Sequence, residues 1–103
     1  MATDSFATFV LEQLRAEDGG AIIARRMFGS LGLYHGDAFF GIISRGHLYL
    51  KTSEATRAAY AERGMGPFRP SARQTLKNYY EVPVDILEDP DALAEWVAEA
   101  VRQ

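Results

Sequence analysis

Four short segments rich in β-branched and aromatic residues follow one another in the first half of the chain, separated by glycine-bearing turns. They are residues 22–28, 31–34, 38–43 and 47–51. This length and composition are typical of β-strands. His35 with Gly36, and Arg45 with Gly46, stand where a tight hairpin needs a residue that accepts a positive φ, so we expect antiparallel pairing. Segment 38–43 is apolar at successive positions, which predicts a central strand with both faces covered.

Three helices are predicted around these strands. Asp4 can cap a first helix whose apolar positions are Phe6, Phe9, Val10 and Leu14. Ser53 can cap a second helix over residues 54–63. Its inward positions are predicted to be the small residues Ala55, Ala58 and Ala59. The last helix has the strongest local pattern, because Asp89 precedes Pro90 at the first helical position and Leu93, Trp96, Val97, Ala100 and Val101 follow at helical spacing.

The segment between the second and last helices is mixed. Residues 64–70 contain Gly64 and Gly66, followed by Pro67 and Pro70. These residues interrupt regular structure, so we predict a loop or an edge segment. Residues 76–82 alternate as a strand that Pro83 ends, with Tyr80 and Val82 on one face and Tyr79 and Glu81 on the other. The order helix, three or four strands, helix, one or two strands, helix predicts an α+β fold with an antiparallel sheet of about five strands.

Length and composition place this fold in one domain over residues 1–103, since two cores of half this size would each be marginal. Hydrophobic residues make up 48% of the chain, enough to fold without a cofactor. The chain has no cysteine, which excludes thiolate nucleophiles and cysteine metal sites and suits a reducing compartment. The start of the sequence lacks signal-peptide features and no apolar run is long enough for a membrane span, so we expect a cytoplasmic protein.

Charge is unevenly distributed along the chain. Residues 21–80 hold nine basic and three acidic residues, whereas residues 81–103 hold seven acidic and one basic. An anion-binding sheet face is conceivable through six basic side chains, Arg25, Arg26, Lys51, Arg69, Arg73 and Lys77. The favoured interpretation is that acidic helices neutralise basic strands, because nucleic-acid-binding domains are normally basic and this net charge is −3. We therefore do not expect direct DNA binding.

A search for catalytic constellations finds none. Ser30 lies one position too early for a nucleophile elbow, and His35 and His47 lie in or beside hairpin turns. The acidic residues 85–91 lack the spacing of a calcium loop, and the glycine pairs lack a phosphate-binding fingerprint. Tyr34, Tyr49, Tyr79 and Tyr80 could stack bases, but cross-strand packing is the default for strand aromatics. The residues predict neither an enzyme nor a metal or cofactor site.

Several segments together resemble the amino-terminal domain of the TfoX/Sxy family. Residues 26–34 run RMFGSLGLY, 48–51 run LYLK, 66–68 run GPF, and 79–83 run YYEVP, in the family's order. The spacing of Leu93, Trp96 and Ala100 completes the pattern. Ser30 stands where the family commonly has a second glycine. Longer members of the family have a second, helical domain of the helix-hairpin-helix kind. The function of that second domain is not inferred for the 103 residues of this sequence.

The resemblance implies a secretion-chaperone-like α+β fold and a regulator of natural competence. It implies a transcriptional coactivator that works with the transcription machinery or with a DNA-bound activator of the cyclic-AMP receptor type. The expected function is therefore a non-catalytic, protein-binding regulatory module. The alternative is a small-ligand or nucleic-acid-binding domain that uses the basic middle segment. Homodimerisation is a further alternative, because three helices leave part of an apolar sheet uncovered, and a second copy of the chain could cover it.

The candidate binding residues centre on segment 26–34. Gly29 and Gly32 permit a tight reversal or bulge in which Met27 and Phe28 turn towards the core while Arg25 or Arg26 projects outward. A structural corner explains the same residues equally well. The full candidate set is Arg25, Arg26, Met27, Phe28, Gly29, Gly32, Tyr34, Lys51 and Tyr79.

Overall fold

The computed structural model describes residues 5–18, 22–27 and 29–102. Within these ranges the helices are α1 (Ser5–Asp18), α2 (Glu54–Glu62), α3 (Val84–Leu87) and α4 (Pro90–Val101). The strands are β1 (Ile22–Met27), β2 (Ser30–His35), β3 (Ala38–Ser44), β4 (His47–Lys51), β5 (Pro67–Ser71) and β6 (Gln74–Glu81).

The six strands form one open sheet in the order β1-β2-β3-β4-β6-β5, and every neighbouring pair is antiparallel. The α+β class, the antiparallel sheet and the central β3 are confirmed. The sheet has six strands where about five were expected, because the edge alternative applies to the glycine- and proline-rich segment, which contributes β5. This strand lies at the sheet edge, where Pro67 and Pro70 cost little because an edge strand leaves some N–H groups unpaired anyway. The short helix α3 was also missed.

The hairpin turns follow the predicted chemistry. Gly36 has φ 62° between β2 and β3, while Arg45 and Gly46 have φ 53° and 80° between β3 and β4. Arg45 is a side-chain-bearing residue in the left-handed region, which is uncommon. These values confirm the two predicted tight reversals.

The helix caps are largely as predicted. Ser53 and Thr56 form a reciprocal capping box at α2, and Asp89 accepts backbone hydrogen bonds from Asp91 and Ala92 at α4. The predicted cap Asp4 lies outside the described residues. The prediction for the inward face of α2 was wrong: Ala55, Ala58 and Ala59 are exposed and Tyr60 is buried. A large aromatic side chain gains more by burial than alanines do, and it sets the rotation of the helix.

All four helices contribute to a single hydrophobic cluster on one face of the sheet. Its helical members are Ala7, Val10, Leu14, Tyr60, Ile86, Leu87, Leu93, Val97 and Ala100. Its sheet members include Ile22, Leu33, Phe40, Ile43, Leu48 and Leu50. Ile42 and Phe68 are buried hydrophobic residues that do not belong to this cluster. Because side chains alternate along a strand, Ile42 points to the opposite face from its neighbour Ile43.

A bulge in β3 places two neighbouring phenylalanines, Phe39 and Phe40, on opposite faces of the sheet. Leu33 pairs with Gly41 but Tyr34 pairs with Phe39, so Phe40 is an extra residue on β3. Phe40 is 0% exposed and belongs to the cluster with the helices. Phe39 instead contacts Tyr34 and Tyr79 on the other side.

Candidate binding face

The sheet face opposite the helix cluster, here the open face, is rich in aromatic side chains. We define it by eight residues that register and ring contacts place together: Ile23, Arg25, Tyr34, Phe39, Ile42, Tyr49, Phe68 and Tyr79. Antiparallel pairing brings residues from all six strands into this one surface. Five of the eight are aromatic, and Phe68 is the only one of these five that is fully buried.

One row of rings crosses the middle of the open face. The Tyr34 and Phe39 ring centroids lie 5.1 Å apart, and those of Phe39 and Tyr79 lie 5.5 Å apart. Both pairs are tilted, at 36° and 38°, as aromatic pairs prefer. The Arg25 guanidinium carbon lies 5.6 Å from the Tyr34 ring centroid, within cation–π range. The row therefore starts with the Arg25 guanidinium on the edge strand β1 and runs through the rings as far as Tyr79 on β6.

A second aromatic pair lies nearer to the β5 edge. The Tyr49 and Phe68 ring centroids are 4.6 Å apart, and Tyr49 pairs in register with Ile42. An apolar groove of about 430 Å³ lies between this pair and the first row. Its lining residues are Ser30, Phe39, Ile42, Phe68, Pro70, Ser71, Gln74 and Leu76. The groove gives the open face a concave feature that an apolar side chain can enter.

A polar pocket of about 360 Å³ adjoins the groove and shares Ser30, Phe68 and Pro70 with it. We call it the corner pocket, because the β1–β2 and β3–β4 turns meet there. Its remaining lining residues are Gly29, Ser44, Arg45, His47, Tyr49 and Arg69. At its margin His47 Nδ1 lies 2.5 Å from Glu81 Oε2, so the imidazole engages that carboxylate.

Two phenol groups of the open face, those of Tyr49 and Tyr79, are harder to ionise than free tyrosine. Burial raises the pKa of Tyr49, Glu81 raises it further, and Arg45 opposes that shift. Burial also raises the pKa of Tyr79, with a smaller contribution from Tyr34. Both phenols are thus neutral donors and acceptors at neutral pH. The open face is polar at its ring tips without carrying negative charge there.

The structure brings together part of the predicted site. Arg25 pairs with Gly32 in register, and Arg25 and Tyr34 contact each other on the open face. Tyr79 joins them through Phe39. These four predicted residues therefore share one surface.

The other predicted residues are placed differently. Gly29 has φ 79° in the turn between β1 and β2 and lines the corner pocket. Arg26 pairs with Leu31 and is exposed at the β1 edge. The backbone of Met27 pairs with Ser30, and Phe28 lies outside the described residues, so their predicted turn towards the core stays a prediction.

Lys51 lies apart from the corner. It pairs in register with Tyr79 but also lines a small pocket between α2 and α4 with Tyr60 and Trp96. Tyr80 packs on the helix side, where its ring centroid lies 6.0 Å from that of Tyr60, so this tyrosine is not part of the open face.

Sequence reasoning missed several residues that complete the face. Phe39 and Phe68 connect the aromatic rows, and Arg45 contributes to the corner pocket. The alternation of β4 did contain a signal, because Tyr49 alternates with the buried Leu48 and Leu50. The contact with Phe68 depended on recognising β5 as a strand.

In residues 5–18, 22–27 and 29–102, no group of three or more His, Cys, Asp or Glu side chains is placed to hold a metal ion. Among the described helices, none is both long and apolar enough to span a bilayer.

Comparison with known proteins identifies the family. A family model described as the TfoX N-terminal domain matches residues 12–103. The chain belongs to the TfoX family. A curated relative in this family, DNA transformation protein TfoX1 of Aliivibrio fischeri (strain ATCC 700601 / ES114), is 31% identical over 85 residues. The matched region is 81% of this chain and 41% of that relative, so this TfoX-family chain corresponds to less than half of the relative's length.

Proposed function

We propose that this TfoX-family chain is a non-catalytic regulatory module of natural competence that binds a protein partner through the open face. One observation carries the proposal: a sheet face with five aromatic residues and no helix of the described structure packed on it. Exposed apolar surface of this kind marks interaction sites on soluble domains. The match to a relative named for DNA transformation supports the regulatory context.

The chemistry of the open face selects the kind of partner. Arg25 lies at one side, and Arg45 and Arg69 line the corner pocket at the other. Glu81, whose carboxylate lies at the margin of the corner pocket, is engaged by His47. A partner surface with an apolar centre and acidic borders complements this arrangement, because complementary charge orients and accelerates association. We propose that this partner is part of the transcription machinery or a DNA-bound activator of the cyclic-AMP receptor type.

A nucleic-acid-binding function is supported less well. The basic middle segment does not form one patch, since Arg57 donates to Asn78 Oδ1 and Arg63 donates to Asp85 Oδ2 at 2.7 Å. The open-face rings pack against one another at 36° to 47°, and bases need free ring faces on which to stack. A net charge of −3 also opposes approach to a phosphate backbone.

Two exposed aliphatic residues allow a matched test. Ile23 is 47% exposed on the open face, and Val84 is 66% exposed on α3. Ile23→Lys places a charge on the proposed docking surface, whereas Val84→Lys makes the same kind of change on the helix side. Capture of a purified cyclic-AMP receptor-type activator on its promoter DNA is the measurement. We expect Ile23→Lys to lower capture by about tenfold or more and Val84→Lys to leave it unchanged.

The outcomes separate the alternatives. Equal capture by both variants would exclude the open face as the docking surface. Absence of capture by the unmodified chain, under conditions in which a longer TfoX relative is captured, would reject the partner. Light scattering supplies a further control, because a dimer that Ile23→Lys dissociates would assign the face to a second copy of the chain.

A further inference from the structure

The corner pocket has the properties of an anion site, independently of the partner proposed above. Two arginines, Arg45 and Arg69, reach it from the β3–β4 turn and from β5. Neither arginine has an ion-pair partner among the residues that the structure describes. Two cations that line one concave pocket, neither of them ion-paired, raise the local potential and attract an anion.

Arg45 occupies a backbone position that suits other residues better. Its φ is 53°, in a tight turn where glycine or asparagine is the usual choice. Strained residues of this kind concentrate at binding sites, where the surrounding structure holds a side chain in place. Here the turn places the Arg45 side chain at the corner pocket, and a glycine at this position would provide no guanidinium there.

Ser44 provides an independent sign of a ligand. It is a polar residue with only 8% of its surface exposed, and it lines the corner pocket. Its hydroxyl has no hydrogen-bond partner within residues 5–18, 22–27 and 29–102. A buried hydroxyl without a partner is costly and calls for an acceptor or donor from outside the chain.

We propose that the corner pocket binds a phosphate group. Arginine guanidinium groups match phosphate oxygens in charge and geometry, and the Ser44 hydroxyl can donate to a further oxygen. Tyr49 and Phe68 form an aromatic wall beside this position, and the adjoining groove leaves room for the rest of the molecule. Phosphate carried by a small nucleotide and phosphate carried by a modified side chain share this chemistry.

The first experiment titrates the intact chain with inorganic phosphate at constant ionic strength and follows backbone amide resonances. We expect saturable shifts at Ser44, Arg45 and Arg69. Arg45→Gly removes the guanidinium while relaxing the strained turn, so the variant should melt at a higher temperature and yet bind phosphate about tenfold more weakly. Arg69→Gln should weaken binding similarly. Arg73→Gln removes an exposed cation that does not line the pocket and should change nothing.

The same titration with adenosine monophosphate and with phosphoserine distinguishes the two sources. Tighter binding of adenosine monophosphate than of inorganic phosphate assigns the corner pocket and the adjoining groove to a nucleotide, and tighter binding of phosphoserine assigns the pocket to a modified side chain. Shifts that do not saturate, or an affinity that survives both Arg45→Gly and Arg69→Gln, would overturn the proposal.

Discussion

The two faces of the sheet differ in the kind of apolar residue that they use. The helix-covered face is mainly aliphatic, and Leu33, Leu48 and Leu50 are each fully buried there. The open face is mainly aromatic, and Tyr34, Phe39 and Tyr79 are only partly buried. Tyrosine tolerates such a position because its hydroxyl meets water while its ring packs on a neighbour. The partly exposed Phe39 and the half-exposed Ile23 carry no polar group that could bond to water, which supports the proposed docking on the open face.

The comparison is sharpest at the β3 bulge. Phe39 and Phe40 are adjacent, chemically identical and assigned to opposite faces. Phe40→Ala leaves a cavity under the helices and should lower the free energy of unfolding by about 3–5 kcal/mol. Phe39→Ala loses two ring contacts and partial burial, which corresponds to about 1–2 kcal/mol. Urea unfolding of the two variants measures the difference.

This pair of variants also tests the bulge itself. If the two substitutions lowered stability equally, the assignment of Phe39 and Phe40 to different faces would be wrong. In a partner-binding assay we expect the two variants to rank in the opposite order to their effects on stability. Phe39→Ala should weaken capture of the partner, whereas a folded Phe40→Ala protein should retain it.

A smaller effect is expected from Gly41, which lies under the helix cluster in β3. A Cβ at this position would meet Tyr49 O at 3.0 Å, Leu50 Cδ2 at 3.2 Å and Leu33 Cδ1 at 3.3 Å. Gly41→Ala should therefore lower the free energy of unfolding by about 1–3 kcal/mol through overpacking. Gly66→Ala is the control, since its Cβ meets open space, and it should be neutral or stabilising by up to about 1 kcal/mol. Comparable losses in both variants would argue against tight packing at Gly41.

The smallest effect concerns ionisation of tyrosine on the two faces. Burial raises the pKa of Tyr60 on the helix side strongly and that of Tyr79 on the open face less. A raised folded-state pKa adds stability below the unfolded pKa of about 10, and this stability is lost as pH rises through the folded value. Unfolding free energy should fall above pH ~10, and Tyr60→Phe should reduce that fall more than Tyr79→Phe does. Phenolate absorbance should show Tyr79 ionising first; the reverse order would contradict the burial difference.

Much of the fold could be predicted because local chemistry specifies it. Gly36 and Gly46 adopt the positive φ expected of hairpin turns, and Asp89 caps α4 as the sequence pattern indicated. The alternation that separates Tyr79 from Tyr80 also assigned the two faces of β6 correctly. Two features were not decided by local sequence. The prolines left residues 64–70 open between a loop and an edge segment, and the prediction that three alanines of α2 face inward was wrong because the packing of Tyr60 sets the rotation of that helix.

The candidate site could be predicted only in part. Arg25, Gly32 and Tyr34 come together through neighbouring strands, which the hairpin pattern implies. Phe68 reaches Tyr49 only because β5 pairs with β6 and β6 pairs with β4. Such pairing between distant segments has no local sequence signal. For the same reason the pocket shared by Arg45 and Arg69 could not be anticipated.

Radical footprinting of aromatic side chains tests the central claim most directly, because both faces carry intrinsic probes. Tyr34 and Tyr79 report on the open face, and the partly buried Trp96 reports on the helix side. The chain is labelled alone and in complex with the activator on promoter DNA. We predict protection of Tyr34 and Tyr79 in the complex with unchanged labelling of Trp96; protection of Trp96 with Tyr34 and Tyr79 unchanged would contradict docking through the open face.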